Sequence, residues 1–130
     1  MFFASDKDLN LYFTSYNDSL HVKNIQQNPN VAVSIFDSRA IPGTGTTQAV
    51  YVSGTCKRVE VENLPSAIEV VYSKRFPSQK ERATKDLSVE HFSLPDSVGR
   101  TDHIYKIETK KFYILDKTAG KDLRVEVKIK

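Results

Sequence analysis

The sequence predicts a mainly β protein: an antiparallel β-barrel with two or three short helices packed outside it. Three observations carry this reading. Two-residue alternation recurs at residues 9–14, 30–37, 48–61, 104–108, 112–116 and 123–129. Turn formers separate many of these stretches, as hairpins require. Two segments between them instead space their apolar residues by three and four, as helices packed on a sheet do.

The chain opens on residues 1–5, a strand already under way, and Asp6-Lys7-Asp8 turns it into the next strand as a hairpin. In residues 9–14, Leu9, Leu11 and Phe13 alternate with Asn10, Tyr12 and Thr14, the pattern of a strand with one buried face. A polar corner follows at residues 14–19, and Asp18 or Ser19 is expected to cap a first helix carrying Val22 and Ile25 on one face. Pro29 ends that helix, because the residue before a proline is steered out of the helical region.

Residues 30–37 form the next strand, with Val31, Val33 and Ile35 on one side. Pro42, Gly43 and Gly45 make residues 38–47 a loop. Residues 48–61 form a long strand in which Gly54 marks a bulge, a strong bend, or a close approach by backbone or ligand. Asn63 and Pro65 open a second helix with Ile68, Val71 and Tyr72 facing inward, and Pro77 closes it. Residues 78–100 fit a broken helix or a flap. Residues 104–108, 112–116 and 123–129 return to strand, with Gly120 in the last turn.

Bulk properties narrow the function classes. The 130 residues suit one domain, residues 1–130. A net charge of +3, with both signs interspersed, excludes a nucleic-acid-binding composition. The single cysteine, Cys56, excludes an intrachain disulfide and a multi-cysteine zinc site. His21, His91 and His103 are too far apart in sequence to spell a metal-ligand motif. No apolar run reaches membrane-spanning length and no signal peptide is present, so a cytoplasmic location is expected.

The stretch that carries chemistry is residues 9–29. A strand delivers Thr14 and Ser15 to a corner, Ser19 opens a helix, and His21 and Lys23 stand in its first turns. Hydroxyl donors, the free N–H groups of a helix N-terminus and nearby positive charge together make an anion site.

The ordered set LYFTS, NDS, His21, Lys23, then NIQQNPNVAVSIFD and, after a loop, VYVSGTCKRVE resembles the FMN-binding split barrels related to pyridoxamine 5′-phosphate oxidase. KRFP and IYKIETKKFYILD are similar to segments of small members of that group, so the resemblance covers nearly the whole chain, although the family's first strand has no counterpart ahead of Met1. It implies a split barrel, a homodimer and FMN at the subunit interface. The cofactor-binding residues it implies are Phe3, Phe13, Thr14, Ser15, Ser19, His21 and Gln48. Thr14, Ser15 and Ser19 would contact the phosphate, and His21 stands where the oxidases carry a phosphate-binding lysine. The backbone of residues 2–5 would run alongside the flavin ring, and Gln48 would reach its edge.

Three functions follow. The first is an FMN-dependent oxidoreductase. The second is a dimeric split barrel that binds or responds to stress without a cofactor. The third is a haem-binding split barrel that uses His91 or His103. A visible absorbance spectrum separates the three.

Overall fold

The computed structural model describes residues 3–36, 49–75, 89–116 and 123–129. Its elements in chain order are β1 (Ala4–Ser5), β2 (Leu11–Tyr16), α1 (Leu20–Gln27), β3 (Asn30–Phe36), β4 (Ala49–Arg58), a 3-10 turn (Val61–Asn63), α2 (Leu64–Arg75), the short α3 (Val89–Phe92), a second 3-10 turn (Asp96–Val98), β5 (Asp102–Asp116) and β6 (Leu123–Val127). The expected loop at 38–47, Gln48, the stop at Pro77, residues 78–88 and Gly120 lie outside the described residues.

Every strand pairing is antiparallel. The order is β1-β2-β5-β4-β3, with β6 also on β5. The long β5 is the spine. Its first half, residues 102–107, pairs with β2, its second half, residues 112–116, pairs with β6, and β4 runs along its other edge. Among the described residues no pairing joins β1 to β3, so the sheet is split-barrel-like but does not close.

The sequence reads two strands, 104–108 and 112–116, where the fold has one. The break in alternation between them is a bulge. Thr109 faces Gly54 and Lys111 faces Ser53, leaving Lys110 without a partner. One extra residue reverses the alternation, so Ile107 and Phe112, of opposite parity, enter the same core.

That core lies on one face of the sheet, where Leu11, Phe13, Val52, Cys56, Tyr105, Ile107 and Phe112 meet Val22 and Ile25 of α1. A second core lies on the opposite face. Tyr12 and Ile104 pack there against Leu64, Ala67, Ile68, Val71 and Tyr72 of α2 and Phe92 of α3. The inward stripe expected of α2 is therefore correct, whereas the single buried face expected of residues 9–14 is not. Tyr12 is buried because α2 covers the side assigned to solvent.

Leu9 also leaves the expected pattern. It stands at φ +65° in the turn and is exposed, and the strand begins at Leu11. Asp6 organises that turn. Its carboxylate accepts from the Asp8 and Asn10 backbone N–H groups, the Asn10 amide and the Tyr12 hydroxyl. Burial acts to raise the Asp6 pKa, but these donors outweigh it and hold the carboxyl below its ordinary value. Burial, and after it the Asp6 charge, push the Tyr12 phenol up to about 12.

One row of side chains is left bare. Ile35, Val50, Ile114 and Val125 stand opposite one another across β3, β4, β5 and β6. All four are exposed, at 36–45%. They continue the row of Val33, Val52, Phe112 and Val127, whose first three members are buried in the α1 core. No described helix is long and apolar enough to cross a membrane.

Candidate functional site

The corner between β2 and α1 assembles three of the residues the sequence nominates. Period-two alternation sends Phe13 and Ser15 to the α1 face of the sheet. The chain then turns through Tyr16–Ser19, closed by the Ser19 N–H on the Tyr16 carbonyl at 3.2 Å, which brings Ser19 and His21 back over Ser15. Ser15 Oγ is 2.6 Å from His21 Nε2 and 3.1 Å from Ser19 Oγ, and Ser19 Oγ is 3.3 Å from His21 Nε2. Ser15 is buried, whereas the His21 ring reaches solvent.

Ser19 occupies the N-cap position, but its side chain does not cap. Its hydroxyl donates to the Tyr16 carbonyl at 2.9 Å instead. Asp18 does not cap either, and its carboxylate receives Arg100 Nε at 3.2 Å. The expected side-chain cap is therefore absent, because both candidates are committed elsewhere. Lys23 is the first residue of α1 to donate to a helical carbonyl, that of Ser19 at 3.1 Å. The N–H groups of Leu20, His21 and Val22 have no helical acceptor. No acidic residue stands in the first turn to oppose an anion.

Phe13 supports this corner from beneath. Its ring stacks on Tyr105 at 5.4 Å, meets Phe3 edge-on at 5.7 Å and lies 6.2 Å from the His21 ring. Phe3 is half-buried against it. Thr14 alternates to the Tyr12 face, away from Ser15, so the corner gathers Ser15, Ser19 and His21 but not Thr14. Gln48 lies outside the described residues.

A second polar cluster, which the sequence does not announce, sits at the start of β5. Asp96 Oδ1 lies 3.3 Å from Arg58, 3.3 Å from His103 Nε2 and 3.3 Å from Asn17 Nδ2. Burial slightly favours the neutral Asp96 carboxyl, but the donors Arg58 and Asn17 outweigh it and hold the pKa below its ordinary value. His103 is buried at 2% exposure, with Nδ1 3.1 Å from the Phe92 carbonyl and Nε2 2.7 Å from Thr101 Oγ1. Burial, and after it the Arg58 charge, push the His103 pKa down. Both ring nitrogens are thus occupied, and a metal could take one only by breaking a buried contact. His91 is more open, with Nε2 3.7 Å from Asp102 Oδ2.

The members of this cluster are scattered from Asn17 to His103, so no local motif spells it. The one signal legible in the sequence is the pair His91 and His103, within and just beyond residues 78–100. Among the described residues no group of histidine, cysteine and acidic side chains is placed to hold a metal ion. A groove of about 400 Å³ opens elsewhere, lined by Tyr12, Lys57, Arg58, Lys106, Glu60 and Glu108. It mixes both signs of charge and does not include the Ser15 corner.

Fold and site together define a split-barrel-like protein with a polar, anion-compatible corner between strand and helix. No family model matches the sequence, and no curated protein sequence is similar to it. Solved structures do match. A protein of unknown function from Agrobacterium tumefaciens aligns at a TM-score of 0.60 and 19% identity, over 94% of this chain and 44% of that one. A heme binding protein from Mycobacterium smegmatis aligns at 0.62 and 12%, over 95% and 44%. A nimC/nimA family protein from Clostridium acetobutylicum aligns at 0.50 and 18%, over 95% and 70%. The chain therefore spans less than half the length of the first two, and at these identities the likeness is one of fold.

Proposed function

We propose that this chain is an FMN-binding flavoprotein of the split-barrel type, a single domain that works as a cytoplasmic homodimer and serves as an oxidoreductase. The observation that carries the reading is the Ser15–Ser19–His21 cluster at the uncapped N-terminus of α1. The donor set fits a phosphate. Two hydroxyls and an imidazole converge there, three backbone N–H groups lack helical acceptors, and Asp18, the nearby carboxylate, is held by Arg100. Bound FMN would supply hydride and single-electron transfer at its ring. Ser15, Ser19 and His21 would hold the phosphate, Ser19 by turning its hydroxyl away from the Tyr16 carbonyl.

The flavin ring needs an apolar wall. Phe3 and Phe13, which pack on each other, would give one side of that wall. The bare row of Ile35, Val50, Ile114 and Val125 supports a second copy as its cover. Edge strands left open by the unclosed sheet favour the same association.

A second reading is haem binding, which the Mycobacterium smegmatis neighbour does in a similar fold. Of the two histidines expected as ligands, His91 suits that role better, because both nitrogens of His103 are engaged.

The test is the absorbance spectrum of the purified protein and its titration with FMN. Bands near about 370 and 450 nm, those of the flavin itself, support the first reading, and a Soret band supports the second. Ser19→Ala combined with His21→Ala should weaken FMN binding, and unchanged affinity would refute the phosphate assignment. A colourless protein that takes up neither group would leave a cofactor-free split barrel.

A further inference from the structure

We propose that Asn17 is the positioning residue of the anion corner, held in place by a clamp formed by residues 96–101. The inference rests on the phosphate reading above. Asn17 and Asp18 are the two central residues of the turn that carries Ser19 to Ser15. The Ser19 side chain makes no cap, because its hydroxyl donates to the Tyr16 carbonyl, so the helix start is not fastened by its own N-cap residue.

The fastening comes from a segment about eighty residues further along the chain. The Asn17 N–H donates to the Thr101 carbonyl at 2.9 Å, and Asn17 Oδ1 accepts the Thr101 N–H at 3.1 Å. Asn17 Nδ2 donates to the Gly99 carbonyl at 2.9 Å and to Asp96 Oδ1 at 3.3 Å. Asp96 is itself fixed by Arg58 of β4 at 3.3 Å and lies as close to His103 of β5. On the other flank, Arg100 donates to Asp18 and lays its guanidinium 4.0 Å from the centre of the Tyr16 ring.

Both central residues of the turn are thus bound to a segment that is anchored to two strands. Asparagine suits the position because its amide accepts from one backbone N–H while donating to two acceptors, which no apolar or acidic side chain can do.

The test compares FMN with riboflavin, which shares the ring and lacks the phosphate. Affinities are measured by flavin-fluorescence titration on the full chain at fixed pH. Wild type is expected to prefer FMN. Asn17→Ala should cut that preference about tenfold, the worth of one positioning hydrogen bond, while riboflavin affinity stays within about twofold. A merely structural role would weaken both ligands alike.

If Asn17→Ala melts too low to titrate, Asp96→Asn serves instead. It keeps the shape of the clamp, weakens its Arg58 and Asn17 contacts, and should lower the preference in the same sense. A wild-type preference that survives both substitutions overturns the inference and leaves the phosphate reading standing. A wild type that does not prefer FMN overturns both.

Discussion

Gly54→Ala should destabilise this protein, and the sign alone tests the packing. A methyl group built on Gly54 would run into the Glu108 carbonyl oxygen and stand 3.0 Å from Ile107 Cγ2. Ordinary contact begins at 3.4 Å, so one strand must move about an ångström. The obstruction is backbone, and it lies beside the bulge where β4 meets the spine strand, so no side-chain rotation relieves it. Overpacking of this kind costs about 1–3 kcal/mol. At roughly 3–5 °C per kcal/mol for a chain of this size, the melting temperature should fall by about 3–15 °C. In an ordinary strand position the same change should stabilise by about 0.5–1 kcal/mol, because alanine loses less conformational freedom than glycine. Urea unfolding followed by far-UV circular dichroism reads the difference, with a lower midpoint and an unchanged slope expected. A variant as stable as wild type, or more so, would refute the close approach of β4 and β5.

Two further outcomes follow from buried titratable groups. His103 has a folded-state pKa below its ordinary 6.5, so the unfolded chain takes up its proton first. Its contribution to stability is present above about pH 6.5 and is lost as pH falls from there toward the lowered value. His103→Gln should flatten the decline in urea midpoint between about pH 7 and 5, and equal slopes in the two proteins would exclude the assignment. The Cys56 thiol, pushed up to about 11 by burial, should resist iodoacetamide in the native protein at about pH 8 and react once it unfolds. Rapid native labelling would show that the α1 core opens.

Strand and helix positions were legible wherever one period ran without interruption. The Ile68, Val71 and Tyr72 stripe of α2 and the alternation of β3 and β4 are of this kind, and Gly54, which left a bulge, a bend or a close approach open, stands opposite a bulge in β5 whose backbone comes close to it. Period alone does not count layers. Tyr12 reads as solvent-facing until α2 is laid over it, which no local spacing foretells. The two expected strands in 102–116 were one for a related reason, because a bulge and a turn break alternation alike. Of the candidate site, Ser15, Ser19 and His21 were legible because all three fall within seven residues. Asn17 and Asp96 were not, and His103 was legible only as a haem-ligand candidate, since their contacts link residues far apart in sequence and Asp96 belongs to a 3-10 turn without periodicity.

The bulge in the spine strand also sets how β5 answers to loss of a residue. Lys110 stands outside the ladder, between Thr109 facing Gly54 and Lys111 facing Ser53. Removing Lys110 joins those two pairs into a regular ladder and leaves every other cross-strand partner in place. Removing a neighbour deeper in either half instead slips that half by one residue and sends its core side chains to the wrong face of the sheet, Ile104 out of the α2 core and Ile107 out of the α1 core in one half, or Phe112 in the other. A scan of single-codon deletions through β5 should therefore find one tolerant product, the chain that loss of Lys110 or of the identical Lys111 yields alike, where the protein spends a residue on shape rather than on pairing.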